Sequence, residues 1–268
     1  MIFISIVNPG LFQRNKKKMG GGILLYGPPG CGKTFIARAT AGQCHAIFKV
    51  VHITDVLDPY MGVSSQNIKD IFEMARAKKP CVLFFDEIDT IGYSRSKLSS
   101  EHMRPIVDQL LAEIDGVDSG TNELLLIGAT NTPWDVDSAF KRPGRFDKMI
   151  FVAPPDKSAR ESIFKLKSEG KPMDKDIDFR LLAEQTSLYS GADIENVIEI
   201  ATEMVIDEIM ETGNERNISM IDICKAINQH EPTTLEWLHT IKNYVKYSNQ
   251  SGLYNDVEKF LQKHKKWL

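Results

Sequence analysis

The sequence lacks the features that mark a disulfide-rich, metal-stapled or membrane-spanning protein. Its 268 residues include only four cysteines, with no CxxC spacing and no histidine partner at the spacing of a metal site. We therefore expect reduced, buried thiols and a cytoplasmic location. No run approaches the roughly 18 apolar residues that cross a bilayer, and the apolar N-terminal stretch has no signal-peptide cleavage site. These absences predict a soluble protein without a membrane span.

An excess of basic residues is missing as well. Lysine and arginine number 33 against 36 aspartate and glutamate, for a net charge of −3, so no global field attracts nucleic acid. The chain has no internal repeat and no low-complexity segment. Its composition, 42% hydrophobic and 26% charged, is that of a globular protein with one large or two smaller domains.

Short apolar runs alternate with amphipathic stretches in the first half of the chain. Runs typical of buried parallel strands lie at 23–26, 82–86 and 124–129, with weaker candidates at 47–53 and 149–152. Helical patterns lie between them at 33–43, 65–78 and 103–115. This alternation predicts an α/β fold with a parallel sheet, and Ser64 or Ser65 is expected to cap the second helix.

The pattern changes at the two prolines of "APPD" (153–156), after which no run is typical of a strand. Helical stretches follow at 157–168, 178–185, 192–211, 220–229, 235–247 and 253–264. The predicted segments are a residual N-terminal piece 1–19, a sheet domain 20–154, a helical domain 155–229 and a C-terminal helical extension 230–268. The extension carries an aromatic-rich stripe, which we expect to be either an extra packed helix or a docking face.

The stretch "GPPGCGKT" fits the pattern G-x-x-x-x-G-K-[ST], the P-loop. Glycines let backbone N–H groups point at phosphate oxygens, and the helix that follows adds its positive N-terminal end. Lys33 would neutralise the β- and γ-phosphates, and Thr34 would offer its hydroxyl to Mg²⁺. The predicted nucleotide contacts are Gly27, Pro28, Pro29, Gly30, Cys31, Gly32, Lys33, Thr34 and Phe35. A purely structural turn is the alternative.

A second motif, "VLFFDEID" (82–89), is an apolar strand that ends in two acids and resembles a Walker B segment. Asp86 would hold the hydrated Mg²⁺, and Glu87 would orient and polarise the attacking water. The alternative is that this acid pair caps the next helix. Asp86 stands 52 residues after Thr34 in a strand–helix–strand pattern, which favours the catalytic interpretation.

Polar residues follow the third strand. Asn131, at the end of "GATN", is expected at the carboxyl edge of the sheet, where it could position the water. Arg142 and Arg145, in "KRPGRFD", flank a Pro-Gly turn that suits phosphate recognition. They fit the role of arginine fingers that reach a γ-phosphate bound by a neighbouring subunit. Ordinary turn and surface ion-pair roles are the alternatives for these residues.

Four stretches together resemble the AAA family of the AAA+ ATPases: "GGGILLYGPPGCGKT", "VLFFDEID", "IGATNTPWDVDSAFKRPGRFD" and "YSGADIENVIEIA". The resemblance runs from about residue 20 to residue 229. It is nearest to the protein-remodelling members, among which katanin, spastin and the bacterial and archaeal unfoldases are counted. It implies a doubly wound αβα P-loop NTPase domain with a parallel sheet, followed by a small all-helical lid domain.

The resemblance also implies residue roles and partners. Asn131 would be the sensor-1 residue, Arg142 and Arg145 would act in trans, and Gly191 and Ala192 would lie near adenine and ribose. ATP and Mg²⁺ would be the ligands of a homo-oligomer, usually a hexameric ring with ATP between subunits. Family members usually have some tens of residues before the P-loop strand, so we expect the chain to be truncated or its start to be mis-assigned.

The segment "PYMGVSSQNI" (59–68) falls where family members carry a pore loop. Tyr60, Met61 and Gly62 would then face a central channel and grip an extended polypeptide. Acids often follow this glycine in the family, whereas this chain has Val63, Ser64 and Ser65. An ordinary half-buried loop aromatic is the alternative for Tyr60.

The leading hypothesis is therefore an ATPase (ATP + H2O to ADP + phosphate) that remodels a protein substrate through a pore. A DNA-linked machine of the clamp-loader or helicase type is the second, but the net charge and the absence of an aromatic-plus-basic strand platform argue against nucleic acid. A non-catalytic, nucleotide-gated scaffold is the third, and the complete set of expected catalytic residues argues against it.

Overall fold

The computed structural model describes residues 22–58, 60, 62–91, 103–117, 124–249 and 252–266. The chain divides into two compact units. The first comprises the residues up to Gly27 together with Lys33–Phe151. The second comprises the loop segment Pro28–Gly32 together with Val152–Leu268. The N-terminal piece 1–19 lies outside the described residues, and the domain boundaries at 154 and 229 stay predictions.

The first unit is built on a five-stranded parallel sheet with strand order β2-β3-β4-β1-β5. The strands are β1 (Gly22–Tyr26), β2 (Ile47–Val51), β3 (Cys81–Phe85), β4 (Leu124–Thr130) and β5 (Lys148–Phe151). Every residue of β1, β3 and β4 is buried. Strands covered on both faces carry continuous apolar runs, which is why their sequences predicted them.

Helices connect the strands on both faces of the sheet. They are α1 (Lys33–Gln43), α2 (Ile53–Val56), α3 (Val63–Ala77), α4 (Ile88–Ile91) and α5 (Met103–Val117), with a 3-10 turn at Ser138–Lys141. The chain runs from β1 outward to β2 and then back through β3 and β4. Right-handed crossovers therefore place α1 on one face and both α3 and α5 on the other. The doubly wound fold is confirmed.

The main core of this unit lies between the sheet and the α3–α5 layer. The helices contribute apolar residues at helical spacing, such as Ile68 and Phe72 of α3 and Val107 and Leu110 of α5. Alternate strand residues face them: Leu24, Leu83, Phe85, Leu124 and Leu126. The core thus holds the carboxyl ends of β1, β3 and β4 side by side in fixed register.

The prediction that Ser64 or Ser65 caps helix α3 is wrong. Helix α3 begins at Val63, its N-cap is Gly62 with φ 86°, and no side chain caps it. Ser64 instead lies inside the first turn, where its hydroxyl accepts a hydrogen bond from the N–H of Asp58 at 2.9 Å. The serine hydroxyl is therefore used to fix the preceding loop.

The second unit is helical, with one short parallel bridge between Met173 and Ile218 that the sequence did not predict. Its helices are α6 (Lys157–Ser168), α7 (Phe179–Gln185), α8 (Gly191–Thr212), α9 (Met220–Gln229), α10 (Thr234–Ser248) and α11 (Asn255–Lys263). Side-chain caps begin α6, α7, α8 and α9, at Asp156, Asp178, Ser190 and Ser219. Within the described ranges, every helix is too short or too polar to cross a membrane.

The C-terminal extension forms helices α10 and α11, which contact each other. Of its apolar stripe, Trp237, Leu238 and Ile241 of α10 are buried, and Val257 and Leu261 of α11 are buried as well. Burial, with a smaller contribution from Tyr244, raises the pKa of the Tyr254 hydroxyl to about 12. These buried residues support the packed-helix interpretation of the stripe.

Asp222 is a titratable group on which α9 depends. It closes a capping box with Ser219, and Arg216 donates to both of its carboxylate oxygens, at 2.7 and 3.1 Å. Burial alone would raise the pKa of Asp222, but the hydrogen bonds from Arg216 and Ser219 outweigh it and lower the pKa to about 2.

We expect Asp222→Asn to lower the free energy of unfolding by about 2 kcal/mol at pH 7, because the amide cannot replace the carboxylate in these bonds. The folded pKa lies below the unfolded value of about 3.9, so this stability is complete above that value and is lost as the pH falls toward 2. Urea unfolding should show the difference from wild type shrinking between pH 5 and pH 3. A difference that stays constant with pH would contradict the assignment.

Candidate active site

The P-loop connects the end of β1 to the start of α1, as predicted. Gly30 and Gly32 have φ values of 71° and 84°, which side chains rarely adopt. The ammonium of Lys33 donates a hydrogen bond to the carbonyl of Gly27 at 2.9 Å. The loop therefore curls back on itself, with the lysine at the N-terminal end of α1 beside the backbone that a phosphate would face.

The tip of this loop, Pro28–Gly32, belongs to the second unit, where α8 holds it. The carbonyl of Gly30 accepts hydrogen bonds from the N–H groups of Gly191 at 3.1 Å and Ala192 at 3.4 Å. A Cβ at Gly30 would lie 2.7 Å from the Cβ of Ala192 and 2.7 Å from Oγ of Ser190. The structure thus places both predicted lid residues directly against the loop.

The predicted metal ligands come together at the carboxyl edge of the sheet. The Thr34 hydroxyl and the Asp86 carboxylate lie 3.3 Å apart, one at the start of α1 and one directly after β3. Hydroxyl and carboxylate oxygens are ligands that suit Mg²⁺, which takes its remaining ligands from phosphates and water. Of the described residues, no three histidines, cysteines or carboxylates form a metal cage. By the chemistry of its two oxygens, the Thr34–Asp86 pair fits a Mg²⁺ that also binds a nucleotide.

Glu87 follows Asp86 in a strained backbone conformation, with φ 48°. Its N–H donates to Asp86 Oδ1 at 3.1 Å, and its carbonyl accepts from the N–H and hydroxyl of Thr90 at 2.8 and 2.7 Å. Hydrogen bonds to the backbone of Glu87 thus fix the turn after β3, and Glu87 is exposed. An exposed acid on a strained turn beside the Thr34–Asp86 pair is compatible with the predicted role of a catalytic base.

One polar contact at this edge was missed by sequence reasoning. The buried hydroxyl of Thr130, the last residue of β4, donates to Asp89 Oδ1 at 2.6 Å and accepts from the N–H of Thr132 at 2.9 Å. It ties α4, the short helix that follows the turn at Asp86 and Glu87, to the end of β4 immediately before Asn131. The sequence signals for this contact were a threonine at the end of one strand, Thr130, and a second acid after the neighbouring strand, Asp89.

The two predicted arginine fingers differ in their surroundings. Arg142 is exposed, whereas Arg145 donates to both oxygens of Asp115 at 2.7 Å and to the carbonyl of Ala139 at 2.8 Å. The hydrogen bonds from Arg145 lower the pKa of Asp115. Both arginines line an open pocket of about 450 Å³ that also includes Asp137. Arg145 is paired with a carboxylate of its own chain, whereas no carboxylate among the described residues forms an ion pair with Arg142.

The predicted pore-loop residue Tyr60 is 77% exposed, which contradicts the half-buried alternative. Its N–H donates to Asp58 Oδ1 at 2.8 Å, and the carbonyl and N–H of Asp58 contact the Ser64 hydroxyl at 3.3 and 2.9 Å. The loop therefore presents the ring to solvent on a braced backbone. Met61 lies outside the described residues. Phe35, in the first turn of α1, is 73% exposed.

The chain matches two family models. Residues 23–154 match "ATPase family associated with various cellular activities (AAA)", and residues 176–220 match the AAA+ lid domain. These ranges contain the P-loop, the acid pair, the arginine turn and the start of α8. The chain belongs to the AAA family of ATPases. Its membership was predicted from the four sequence stretches and is confirmed.

Two relatives of this AAA chain are much longer proteins. It is 41% identical over 209 residues to the cell division cycle protein 48 homolog of Archaeoglobus fulgidus, covering 78% of this chain and 28% of the relative. It is 42% identical over 197 residues to the ATP-dependent zinc metalloprotease FtsH of Kosmotoga olearia, covering 72% of this chain and 30% of the relative. The chain thus spans less than a third of the length of either relative.

The contact between Gly30 and α8 predicts the effect of adding one methyl group. Gly30→Ala should lower the free energy of unfolding by about 1–3 kcal/mol more than Gly213→Ala does. Both glycines have positive φ, 71° and 72°, so both variants carry the same backbone strain. A Cβ at Gly213 meets nothing within 4 Å, which makes this variant the matched control. Equal losses in chemical denaturation would show that the loop is not held against α8.

Proposed function

We propose that this chain is an ATP-binding and ATP-hydrolysing motor module that works in a ring and remodels protein substrates. The observation that carries the proposal is the 3.3 Å contact between Thr34 and Asp86, which joins the two nucleotide motifs at one edge of the sheet. Glu87 follows directly in the chain, and the AAA family match covers this whole region. ATP would be the substrate and Mg²⁺ the cofactor.

Each residue has a role that its position supports. Lys33 would move from the Gly27 carbonyl to the β- and γ-phosphates, and the P-loop N–H groups would bind the phosphate oxygens. Mg²⁺, held by Thr34 and Asp86, would neutralise charge that develops on the phosphates. Glu87 would accept the proton of the attacking water. Gly191 and Ala192 keep their predicted place near the adenine and ribose as part of this proposal.

Asn131 would hold that water from the other side. The Thr130–Asp89 bond supports this role because it fixes the end of β4 relative to α4, the helix that begins directly after Glu87. The backbone that carries Asn131 and Glu87 is therefore held in place by hydrogen bonds, and such fixed positions favour the orientation of a water molecule.

The first test separates binding from hydrolysis. Glu87→Gln should lower kcat at least about 100-fold while leaving the dissociation constant for ATP within about twofold, because the amide keeps the shape of the side chain but cannot accept a proton. Glu73→Gln is the control, since Glu73 is an exposed carboxylate on α3. Normal turnover by Glu87→Gln in steady-state assays would refute the assignment of the base.

The arginine turn supports the proposal of ring assembly. Arg142 is exposed on its own chain and follows the 3-10 turn, while Arg145 fastens that turn to Asp115 of α5. An exposed guanidinium on a fastened turn is suited to reach phosphates held by another subunit. We propose a homo-oligomer, by family resemblance a hexamer, in which Arg142 completes the neighbouring site and Arg145 positions Arg142.

Mixing two inactive variants tests this sharing. Arg142→Ala and Glu87→Gln should each be inactive alone, and an equimolar mixture should recover up to roughly a quarter of wild-type specific activity. Random assembly places an Arg142→Ala site beside an intact arginine of the Glu87→Gln chain in about one interface of four. A mixture of Arg142→Ala with Arg145→Ala is the control and should stay inactive. Full activity of Arg142→Ala alone would refute the shared site.

Protein remodelling rests on the exposed aromatic loop and on the family. Tyr60 projects into solvent from a loop braced by Asp58 and Ser64, which is the arrangement that a residue gripping an extended polypeptide needs. The serine hydroxyl supplies this brace at a position where family members often have an acid.

A cytoplasmic location remains the prediction made from the cysteines. All four are free thiols, but the expected burial is found only for Cys44 and Cys81 and is wrong for Cys31 and Cys224.

A further inference from the structure

Asp193 is a buried carboxylate with two separate sets of partners. It lies in the first turn of α8 and is 2% exposed. Its Oδ2 accepts the N–H of Ser190 at 2.8 Å, and Ser190 Oγ accepts the N–H of Asp193 at 3.0 Å, which completes a capping box. Capping therefore occupies one carboxylate oxygen and leaves Oδ1 for other donors.

The other oxygen is held by residues that start the C-terminal extension, beyond the matched lid range 176–220. Oδ1 accepts from the Thr233 hydroxyl at 2.8 Å, from the Thr233 N–H at 3.4 Å and from His230 Nε2 at 3.1 Å. Thr233 is the N-cap residue of α10, yet its hydroxyl does not cap that helix. The hydroxyl donates to Asp193 of α8 instead.

The orientation of the His230 ring is fixed from its other side. Its Nδ1 lies 3.2 Å from Nδ2 of Asn196, one turn along α8. An amide nitrogen only donates, so Nδ1 accepts in this arrangement and Nε2 donates to Asp193. The ring thus bridges two residues of α8.

Two further contacts join the same segments. The Tyr189 hydroxyl contacts the carbonyl of His230, and the buried Thr234 hydroxyl donates to the carbonyl of Leu188 at 2.5 Å. Leu188 has φ 66°, an unfavourable value for leucine that tertiary contacts must maintain. Residues 188–193 are therefore held along their length by residues 230–234. We call these five extension residues the latch.

The segment that the latch holds is the one that contacts the P-loop. The N–H groups of Gly191 and Ala192 both donate to the carbonyl of Gly30, and a Cβ at Gly191 would stand 3.2 Å from that oxygen. The carbonyl of Gly30 and the N–H of Cys31 belong to one planar trans peptide and point in opposite directions. Fixing the carbonyl on α8 therefore turns this N–H toward the inner side of the loop, where phosphate is expected.

We propose that the latch positions the P-loop tip through residues 190–193, so that the C-terminal extension sets the nucleotide affinity of the chain. His230 and Thr233 are positioning residues, since they act through Asp193 and α8. The proposal rests on the proposed nucleotide-binding function and adds a control element that lies outside the two matched family ranges.

The test measures the dissociation constant of ADP and the midpoint of thermal unfolding on the same full-length variants. Thr233→Val removes the hydroxyl and keeps the β-branched shape, and it should raise the ADP dissociation constant roughly fivefold, as expected for one lost hydrogen bond. Thr233→Ser restores the hydroxyl and should return the constant to within about twofold of wild type. Tyr189→Phe should weaken ADP binding independently, because it removes a different latch contact.

Ser219→Ala is the matched control. It removes the equivalent capping box of α9, which does not touch the loop tip, so it should lower the unfolding midpoint and leave the ADP constant unchanged. If Thr233→Val and Tyr189→Phe also lower only the midpoint, the latch is merely structural and the inference is wrong. Failure of the wild-type chain to bind ADP would instead overturn the proposed function, and the inference with it.

Discussion

Burial of β1, β3 and β4 on both faces is the constraint on which the rest of this structure depends. A strand covered by helices on either side has no place for polar side chains along its length, because each would lose its water without a partner. Polar side chains are therefore found at the ends of these strands. In a parallel sheet these ends meet at one edge, so Thr34, Asp86, Thr130 and Asn131 gather there although the chain separates them widely.

The polar groups at this edge are held by hydrogen bonds within the protein. Asp86 contacts Thr34, Asp89 holds the end of β4 through Thr130, and the N-terminus of α8 holds the Gly30 carbonyl. Each bond fixes backbone as well as side chains. Groups that are already oriented need little reorganisation when charge develops on a phosphate, which is the physical basis for efficient phosphoryl transfer.

Much of this arrangement was predictable from the sequence, for identifiable reasons. Residues 82–85 are apolar without interruption, which is typical of a doubly covered strand, and the glycines and lysine at 27–34 have few uses other than holding phosphate. Those signals are local. The bounds of β3 were predicted one residue too late, at 82–86 and not at Cys81–Phe85, since the apolar pattern does not reveal that Asp86 has already left the strand.

Three of the contacts that escaped prediction join residues distant in sequence. Thr130 with Asp89, Arg145 with Asp115 and Thr233 with Asp193 span 41, 30 and 40 residues. A threonine or an aspartate has many ordinary uses at a turn or a cap, so its type does not identify its partner. The unequal environments of Arg142 and Arg145, identical in type and three positions apart, could likewise be found only from the fold.

The account's central claim is that the carboxyl edge of the sheet binds a nucleotide polyphosphate with its metal. A crystal structure of the chain grown with ADP and Mg²⁺ tests it most directly. The account predicts the β-phosphate within hydrogen-bond distance of Lys33 Nζ and the P-loop N–H groups, with the Thr34 hydroxyl on the metal. Nucleotide bound elsewhere, with Lys33 still on the Gly27 carbonyl, would contradict it.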